Sequence, residues 1–191
     1  PDGHLVGTQR KLHLFTAEEG WLTPGDELHA FDLPFGRVAM PICMDHTFWE
    51  TARLAYLGGA EILIDPAADD AGDREWLAAR GVRARVQESP CYGLHVFIVT
   101  DLFGLHWRGR SSVYAPVGLL PPGQRALAQA QSDDQEEVVV CELDMAALRA
   151  FRAEHTPDFN VPLYEKYLPR IYADYGASEQ NGRRIISRPF D

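Results

Sequence analysis

Three kinds of side chain near the start of the chain have the types and spacing for nucleophilic chemistry. Cys43 closes the apolar run RVAMPIC, and the next residues, Met44, Asp45 and His46, lead into FWETARLAYL, which has helical spacing. A strand that stops at a sulfur and a helix that starts just beyond it place that sulfur at an edge, close to the helix's positive end. There a thiol pKa falls and a developing oxyanion can be held. A cysteine ending an apolar strand is ordinarily a small buried hydrophobe. The polar residues after Cys43 set it apart from Cys91 and Cys141, whose neighbours give no such edge. Lys11, in RKLHLF, shares one face of a strand-like pattern with His13 and Phe15. An ammonium aimed into a cleft from that face would stabilise negative charge on a substrate oxygen, although a surface lysine is the ordinary reading. Glu18 and Glu19 form an acidic pair just ahead of the Pro24-Gly25 turn, in a loop where such pairs are mostly solvated.

Composition narrows what these groups could act on. The 191 residues suit one domain, and their formal net charge of −10 with no basic stripe excludes nucleic acid and anionic membrane surfaces as expected partners. A small molecule is left as the expected substrate. The three cysteines are an odd number without CxxC spacing, so neither a disulfide framework nor a zinc site is indicated and a reducing, cytoplasmic setting is expected. The seven histidines form no HExxH or HxH pattern, and no metal or cofactor is expected. Ser111 and Ser112 lack the GxSxG surroundings of a hydroxyl nucleophile and read as strand residues. No apolar run is long enough to span a membrane.

The elements that must position the candidates follow from periodicity. RKLHLF reads as a strand. LHAFDLPFGRVAMPIC reads as two strands parted by Pro34, Phe35 and Gly36, the second ending at Cys43. A helix is predicted over 47–57, with Thr47 as N-cap and Gly58-Gly59 as its stop. AEILIDPAA reads as a strand, and residues 73–89 read as an amphipathic helix in which Arg85 and Glu88 form a polar pair. GLHVFIVTDLF, RSSVYAPVGLL and EEVVVCELD are three more predicted strands, ahead of helical character in ELDMAALRAFRAEH. Near-continuous apolar strands point to an α/β sheet buried on both faces. NVPLYEKYLPRIYADYG reads as an irregular arm. The opening PDGHLVG has hairpin-turn residues with no strand before them, so the chain is expected to be the later portion of a longer polypeptide.

RKLHLF, the EEGWLTPGD loop, FDLPFGRVAMPICMD with FWE after it, GGAEILIDPAA, RARVQESPCY and GRSSVYAPVG resemble, in order, the successive signatures of the nitrilase superfamily of carbon–nitrogen hydrolases. The likeness runs from residue 3 to residue 150. It implies a four-layer α-β-β-α sandwich, N-terminally incomplete in this chain. The carbon–nitrogen hydrolase domain would span 1–160, with 161–191 an arm at an oligomer interface. It also implies a Glu-Lys-Cys triad with a second glutamate nearby. Cys43 matches the nucleophile, Lys11 the triad lysine, and Glu18 the second glutamate, with Glu19 in its place if the register shifts by one. The triad glutamate belongs to a strand end well before the RKxHL motif, and no residue here matches it. Asp45, His46 and Met44, directly after the nucleophile, are the expected substrate-binding residues, with Asp45 and Glu50 also expected to hydrogen-bond around the cysteine loop.

The implied reaction is cofactor-free hydrolysis of a small linear amide or N-carbamoyl compound through a Cys43 thioester, in a homodimer or higher homo-oligomer. RKLHL followed by CxD looks more like the amidase and carbamoylase branches than the true nitrilases. Met44 stands where an aromatic residue is common, and Trp49 where proline is usual, which leaves the substrate open. Arg53, Arg108 and Arg110 are candidates for holding a substrate carboxylate. Two other readings fit the same motifs: a nitrilase-like module that only binds ligands or partners, and an amidase that passes its acyl group or ammonia to an acceptor.

Overall fold

The computed structural model describes residues 2–69, 79–102, 104–155 and 159–180, with side chains described as far as residue 176. It divides into two compact units, Pro1–Glu154 and His155–Asp191.

The first unit is built on a mixed six-stranded sheet. β1 (Ala30–Leu33) and β2 (Gly36–Ala39) form an antiparallel hairpin that turns at Pro34-Phe35. β2 then runs parallel to β3 (Ile62–Ala67), and β3 parallel to β4 (Tyr92–Phe97). Each of these two parallel steps needs a crossover, and a helix supplies or contributes to it. α1 (Trp49–Leu57) lies between β2 and β3, and α2 (Val82–Glu88) between β3 and β4. β5 (Thr100–Leu102) and β6 (Leu105–Trp107) make a separate hairpin, after which β7 (Ser112–Tyr114) returns antiparallel to β4 and β8 (Ala128–Gln129) extends the edge. α3 (Met145–Glu154) closes the unit.

Two buried clusters fix the layers. Ala52, Ala55 and Tyr56 of α1 and Val82 and Val86 of α2 pack with Ala39, Leu63 and Cys91. On β4 only glycine fits under α2, because a Cβ at Gly93 would lie 2.3 Å from a Val82 methyl and 2.8 Å from a Val86 methyl. A second cluster joins Val38, Ile62, Tyr92 and Ala115 to Leu148 of α3. At the other end of α1 the Gly58-Gly59 stop operates as predicted. Gly59 takes φ +89, and Ala60 N–H reaches back to the Ala55 carbonyl at 3.0 Å, closing the helix on the strand that follows.

Four predicted elements differ. RKLHLF forms no strand among the described residues, because it bends at Leu12 and His13, whose N–H groups are taken by a side chain, Asp45, rather than by a neighbouring strand. The helix after the cysteine starts at Trp49 with Phe48 as its N-cap, since Cys43–Thr47 is a 3-10 turn of its own and the Thr47 hydroxyl donates to the Met44 carbonyl at 2.9 Å. EEVVVCELD pairs with no strand among the described residues, and Val138 and Val140 are 87% and 82% exposed. The stretch read as an irregular arm is a helix, α4 (Val161–Gln180), with Pro169 inside it. Asn160 starts that helix, its side-chain oxygen accepting Leu163 N–H at 3.2 Å, and Pro162 falls in the first turn, where a missing N–H costs nothing. The predicted helix over 73–89 is described from 79 onward, and its earlier part lies outside the described residues. No helix among the described residues is long and apolar enough to cross a membrane.

Candidate active site

Cys43 opens the 3-10 turn at the end of the extended segment that follows β2, with φ +51, the one non-glycine among the described residues with positive φ. A left-handed backbone costs an L-residue about 1–2 kcal/mol and persists only where its surroundings over-determine it. Here the end of β3 does so. Cys43 N–H donates to Asp65 Oδ1 at 2.7 Å, and the thiol faces the Ala68 carbonyl at 3.9 Å. Burial pushes the Cys43 thiol pKa up, opposed by the Ala68 contact and by the positive charge of Lys11. The thiol is therefore held protonated at rest and needs a base to become a nucleophile.

Lys11 and Glu18 are brought together beside it. Lys11 Nζ lies 2.5 Å from Glu18 Oε2, and both side chains are largely covered. Phe15 N–H donates to the same carboxylate oxygen at 2.8 Å, so the 3-10 turn Thr16–Glu18 folds Glu18 back onto the segment that carries the lysine. Burial alone would raise the Glu18 pKa. The bond from Lys11, the Phe15 N–H and the lysine charge outweigh it, and the carboxyl sits below its ordinary value. Glu19, one residue on, is exposed; its backbone N–H donates to the Thr16 carbonyl at 3.3 Å and its backbone bridges to Leu22.

Asp45 ties the lysine segment to the cysteine turn. Its carboxylate is fully buried and accepts Leu12 N–H at 3.0 Å, His13 N–H at 2.6 Å and Ile42 N–H at 2.8 Å, with His13 Nδ1 at 3.1 Å. The His13 ring in turn stacks on Phe48 at 4.4 Å. Lys11 and Cys43 thus keep their relative positions through one side chain, 34 residues along from the lysine, which lies only two from the cysteine. His46 is 1% exposed, beside the Pro41 and Ile64 carbonyls but without a hydrogen-bond partner among the described residues. Burial lowers its pKa to about 3, with like charge from His95 adding to the effect. Met44 is partly exposed next to the thiol. Of the three residues expected to line the substrate, Asp45 and His46 are inside the protein and Met44 alone reaches its surface.

The arginines considered for a substrate carboxylate are placed elsewhere. Arg53 donates to the Ser89 hydroxyl at 3.1 Å. Arg108 and Arg110 line a cavity of about 560 Å³ together with Arg83, Arg125 and His95, a cavity that Cys43 does not border. Arg85 and Glu88 do pair, at 3.1 Å, with the arginine buried and the glutamate half exposed. Ser111 and Ser112 serve the sheet, the first accepting Phe97 N–H and the second donating to the Arg110 carbonyl. Asp65, which accepts Cys43 N–H, and His95 beside it are not among the candidate residues read from the sequence. Asp65 and His95 face each other across β3 and β4, with His95 Nε2 3.2 Å from Asp65 Oδ2. The available signal was a charged residue and a histidine interrupting otherwise apolar strands, in ILIDPA and GLHVF.

The family model described as carbon–nitrogen hydrolase matches residues 1–153. The chain is 31% identical over 164 residues to a nitrilase of Pyrococcus abyssi, covering 85% of this chain and 58% of that protein. It is 28% identical to the human omega-amidase NIT2, covering 91% of this chain and 61% of that one. Among solved structures, Saccharomyces cerevisiae Nit3, a member of branch 10 of the nitrilase superfamily, superposes with a TM-score of 0.69 at 30% identity, over 84% of this chain and 56% of that chain. An amidase from Nesterenkonia, captured with the acetamide moiety of fluoroacetamide on its active-site cysteine, gives a TM-score of 0.60 at 25% identity, over 75% of this chain and 52% of its own. The chain thus spans under two thirds of the length of the relatives it matches, and its mixed α/β architecture is that of the nitrilase superfamily.

Proposed function

The chain belongs to the carbon–nitrogen hydrolase family, and from that premise we propose that it carries the cysteine half of an amidase site that hydrolyses a small linear amide or N-carbamoyl compound. The observation that carries the reading is the arrangement of Lys11, paired with Glu18, close enough to Cys43 for its charge to oppose the rise in thiol pKa that burial causes. In the proposed reaction a carboxylate base removes the thiol proton and the sulfur adds to the amide carbon. The tetrahedral oxyanion is held by the Lys11 ammonium and the Met44 N–H. The C–N bond breaks as the protonated base returns its proton to the departing nitrogen, leaving a Cys43 thioester and free ammonia or amine. Water, deprotonated by the same base, then adds to the thioester and releases the carboxylic acid and the thiol.

In this reading the base is a glutamate that precedes RKLHL in the full natural polypeptide. Glu18 orients the lysine, so that one ammonium proton is committed to the carboxylate and the others point to the oxyanion. Asp45 and His46 act from inside the protein, the first by fixing the lysine segment to the turn, and Met44 is the residue of the three that meets substrate.

The test is intact mass of the full natural polypeptide after brief exposure to a panel of small amides, carbamoyl compounds and nitriles. An acyl adduct that disappears in Cys43→Ala is expected, and its mass identifies the acyl group. Absence of any adduct across the panel, with the Cys43 thiol shown to be free, would overturn the reading.

A further inference from the structure

Asp65 is the least ordinary residue in the neighbourhood of Cys43. It is a carboxyl group with 2% exposure, in a strand whose other inward residues are apolar, and among the described residues it makes no hydrogen bond or ion pair to a lysine or arginine, although the Lys11 charge partly offsets its burial. A buried acid without a cation is costly unless its oxygens are occupied. Oδ1 accepts Cys43 N–H at 2.7 Å, and Oδ2 lies 3.2 Å from His95 Nε2. The partners come from two directions, the nucleophile's own backbone on one side and the adjacent strand on the other. Register fixes the second, since Asp65 and His95 are cross-strand neighbours in the parallel β3–β4 pair. The ring of His95 is itself held against Phe97, with centroids 4.0 Å apart.

We propose that Asp65, held by His95, is a positioning residue for the nucleophile: its carboxyl fixes Cys43 in the left-handed conformation and reserves the Cys43 N–H, so that only the Met44 N–H is left to meet the oxyanion. This rests on the amidase reading for its catalytic consequence and on geometry alone for its structural one. Three residues beyond Asp65, the Ala68 carbonyl meets the Cys43 sulfur, so a single strand end sets both the N–H and the thiol of the elbow. The ionisation of the pair supports the assignment. Burial raises the Asp65 pKa well above its ordinary value, with the Asp45 charge adding to the effect and the Cys43 N–H and Lys11 opposing it, and burial lowers His95 to about 4. Both groups are driven toward their neutral forms, and a neutral carboxyl adds no negative charge beside a thiolate and an oxyanion. A neutral Asp65 would accept Cys43 N–H through its carbonyl oxygen and turn its O–H toward the neighbouring His95 ring. Asparagine reproduces that pattern in full, and alanine removes it.

The test uses the full natural polypeptide with its cysteines labelled with 15N, the Cys43 amide being identified by its loss in Cys43→Ala. In the parent protein this amide is expected to exchange with solvent slowly. Asp65→Asn should keep that protection within about threefold and retain kcat for the amide found by the mass screen within about tenfold. Asp65→Ala should lose the protection and lower kcat by about a hundredfold with KM within about twofold, the split expected of a group that acts on the nucleophile rather than on substrate. A Cys43 amide equally protected in Asp65→Ala, or an Asp65→Asn as impaired as Asp65→Ala, overturns the proposal. Where Asp65→Ala does not fold, His95→Phe decides, with Cys43 exchange at least tenfold faster expected and unchanged exchange overturning it. The exchange readout needs no substrate, so a protein that hydrolyses nothing in the panel still tests the role of Asp65, and the two failures remain distinct.

Discussion

Cys43 and Cys91 begin from nearly the same local circumstances. Each sits beside a strand end and close to a helix, each thiol faces a backbone carbonyl, and burial raises the pKa of each. Yet Cys91 is sealed in the core at 0% exposure, with its sulfur 3.2 Å from the Ala60 carbonyl and its pKa pushed up to about 12. Cys43 has an accessible side, a left-handed backbone and the charge of Lys11 nearby. What separates them is not the strand or the helix each belongs to. It is the set of groups delivered from elsewhere: Lys11 and Glu18 from the segment ahead of the sheet, and Asp65 from the neighbouring strand. A cysteine becomes a candidate nucleophile here by being surrounded, and the surroundings are held by two buried acidic side chains, Asp45 and Asp65.

The comparison is broken most sharply by exchanging the fates of the two thiols. In the full natural polypeptide, Cys43→Ala is expected to lower amide turnover by at least about 10⁴-fold, because no other group can form the thioester, while unfolding at the parent's temperature. Measurable turnover above about one part in a hundred would mean that the sulfur is not the nucleophile. Lys11→Met, which keeps the stem and removes the charge, is expected to cost about 10²–10³ in kcat, the usual scale for losing one oxyanion donor. Glu18→Gln keeps the shape and one hydrogen bond, so a smaller loss of about tenfold is expected, and the ordering of the two by kcat is the check.

Asp45 sharpens the comparison from the side of stability. Its buried carboxylate accepts three backbone N–H groups, and Asp45→Ala leaves all three without an acceptor in a site closed to water. The expected loss is about 3–5 kcal/mol in urea-unfolding free energy, with Asp45→Asn nearer the lower end because one carbonyl oxygen remains. A change below about 1 kcal/mol would show that the lysine segment is fixed to the turn by something else.

Below these comes a pH effect carried by His46. Its folded pKa of about 3 lies below the ordinary histidine value, so the unfolded chain binds the proton more readily between roughly pH 6.5 and pH 3. Stability therefore rises with pH across that window, and acidification removes it, on the order of several kcal/mol for a fully buried ring. Asp65 acts in the opposite sense, since its folded pKa is raised, and His95 acts in the same sense with a pKa of about 4. The variant difference isolates His46. His46→Leu, similar in size and without a titrating ring, is expected to flatten the slope of unfolding free energy against pH between 6 and 4 by up to one proton. A slope unchanged in that variant would mean that the ring reaches solvent or a partner that accepts its charge.

How much of this arrangement could be read along the chain follows from where each interaction lies. β1, β2, β3 and α1 were legible because their patterns are local: Pro34-Phe35-Gly36 between two apolar runs, and Gly58-Gly59 after a helical face. Cys43, Lys11 and Glu18 were legible only as members of an ordered set of motifs, because nothing in RKLHLF itself distinguishes a lysine that meets a carboxylate from one in solvent. RKLHLF was read as a strand because its alternation is real, yet the donors it exposes are taken by Asp45, whose side chain the pattern does not see. EEVVVCELD has every property of a strand except a partner among the described residues, and pairing is not a property of one segment. Asp65 and His95 are hidden in the sequence for the same reason. Each looked like a polar interruption of an apolar run, and only the register of β3 against β4 turns the two interruptions into one contact.

The smallest expected effect falls on Cys91, and it is the one that holds the comparison together. Cys91→Ala removes one sulfur from a cluster formed by Leu63, Val82, Val86 and Tyr56 and leaves the Ala60 carbonyl without that donor. The neighbours are fixed by two helices and a strand, so they close the gap only in part, and a loss of about 1–2 kcal/mol is expected. Amide turnover should stay within about twofold of the parent, because Ala60 and β4 reach the nucleophile only through a sheet that the substitution leaves paired. If turnover instead fell in step with stability, the sealed cysteine would be setting the position of β3, and through Asp65 the elbow itself. The two thiols would then be parts of one device, and the distinction drawn between the core and the site would have to be redrawn along the strand that joins them.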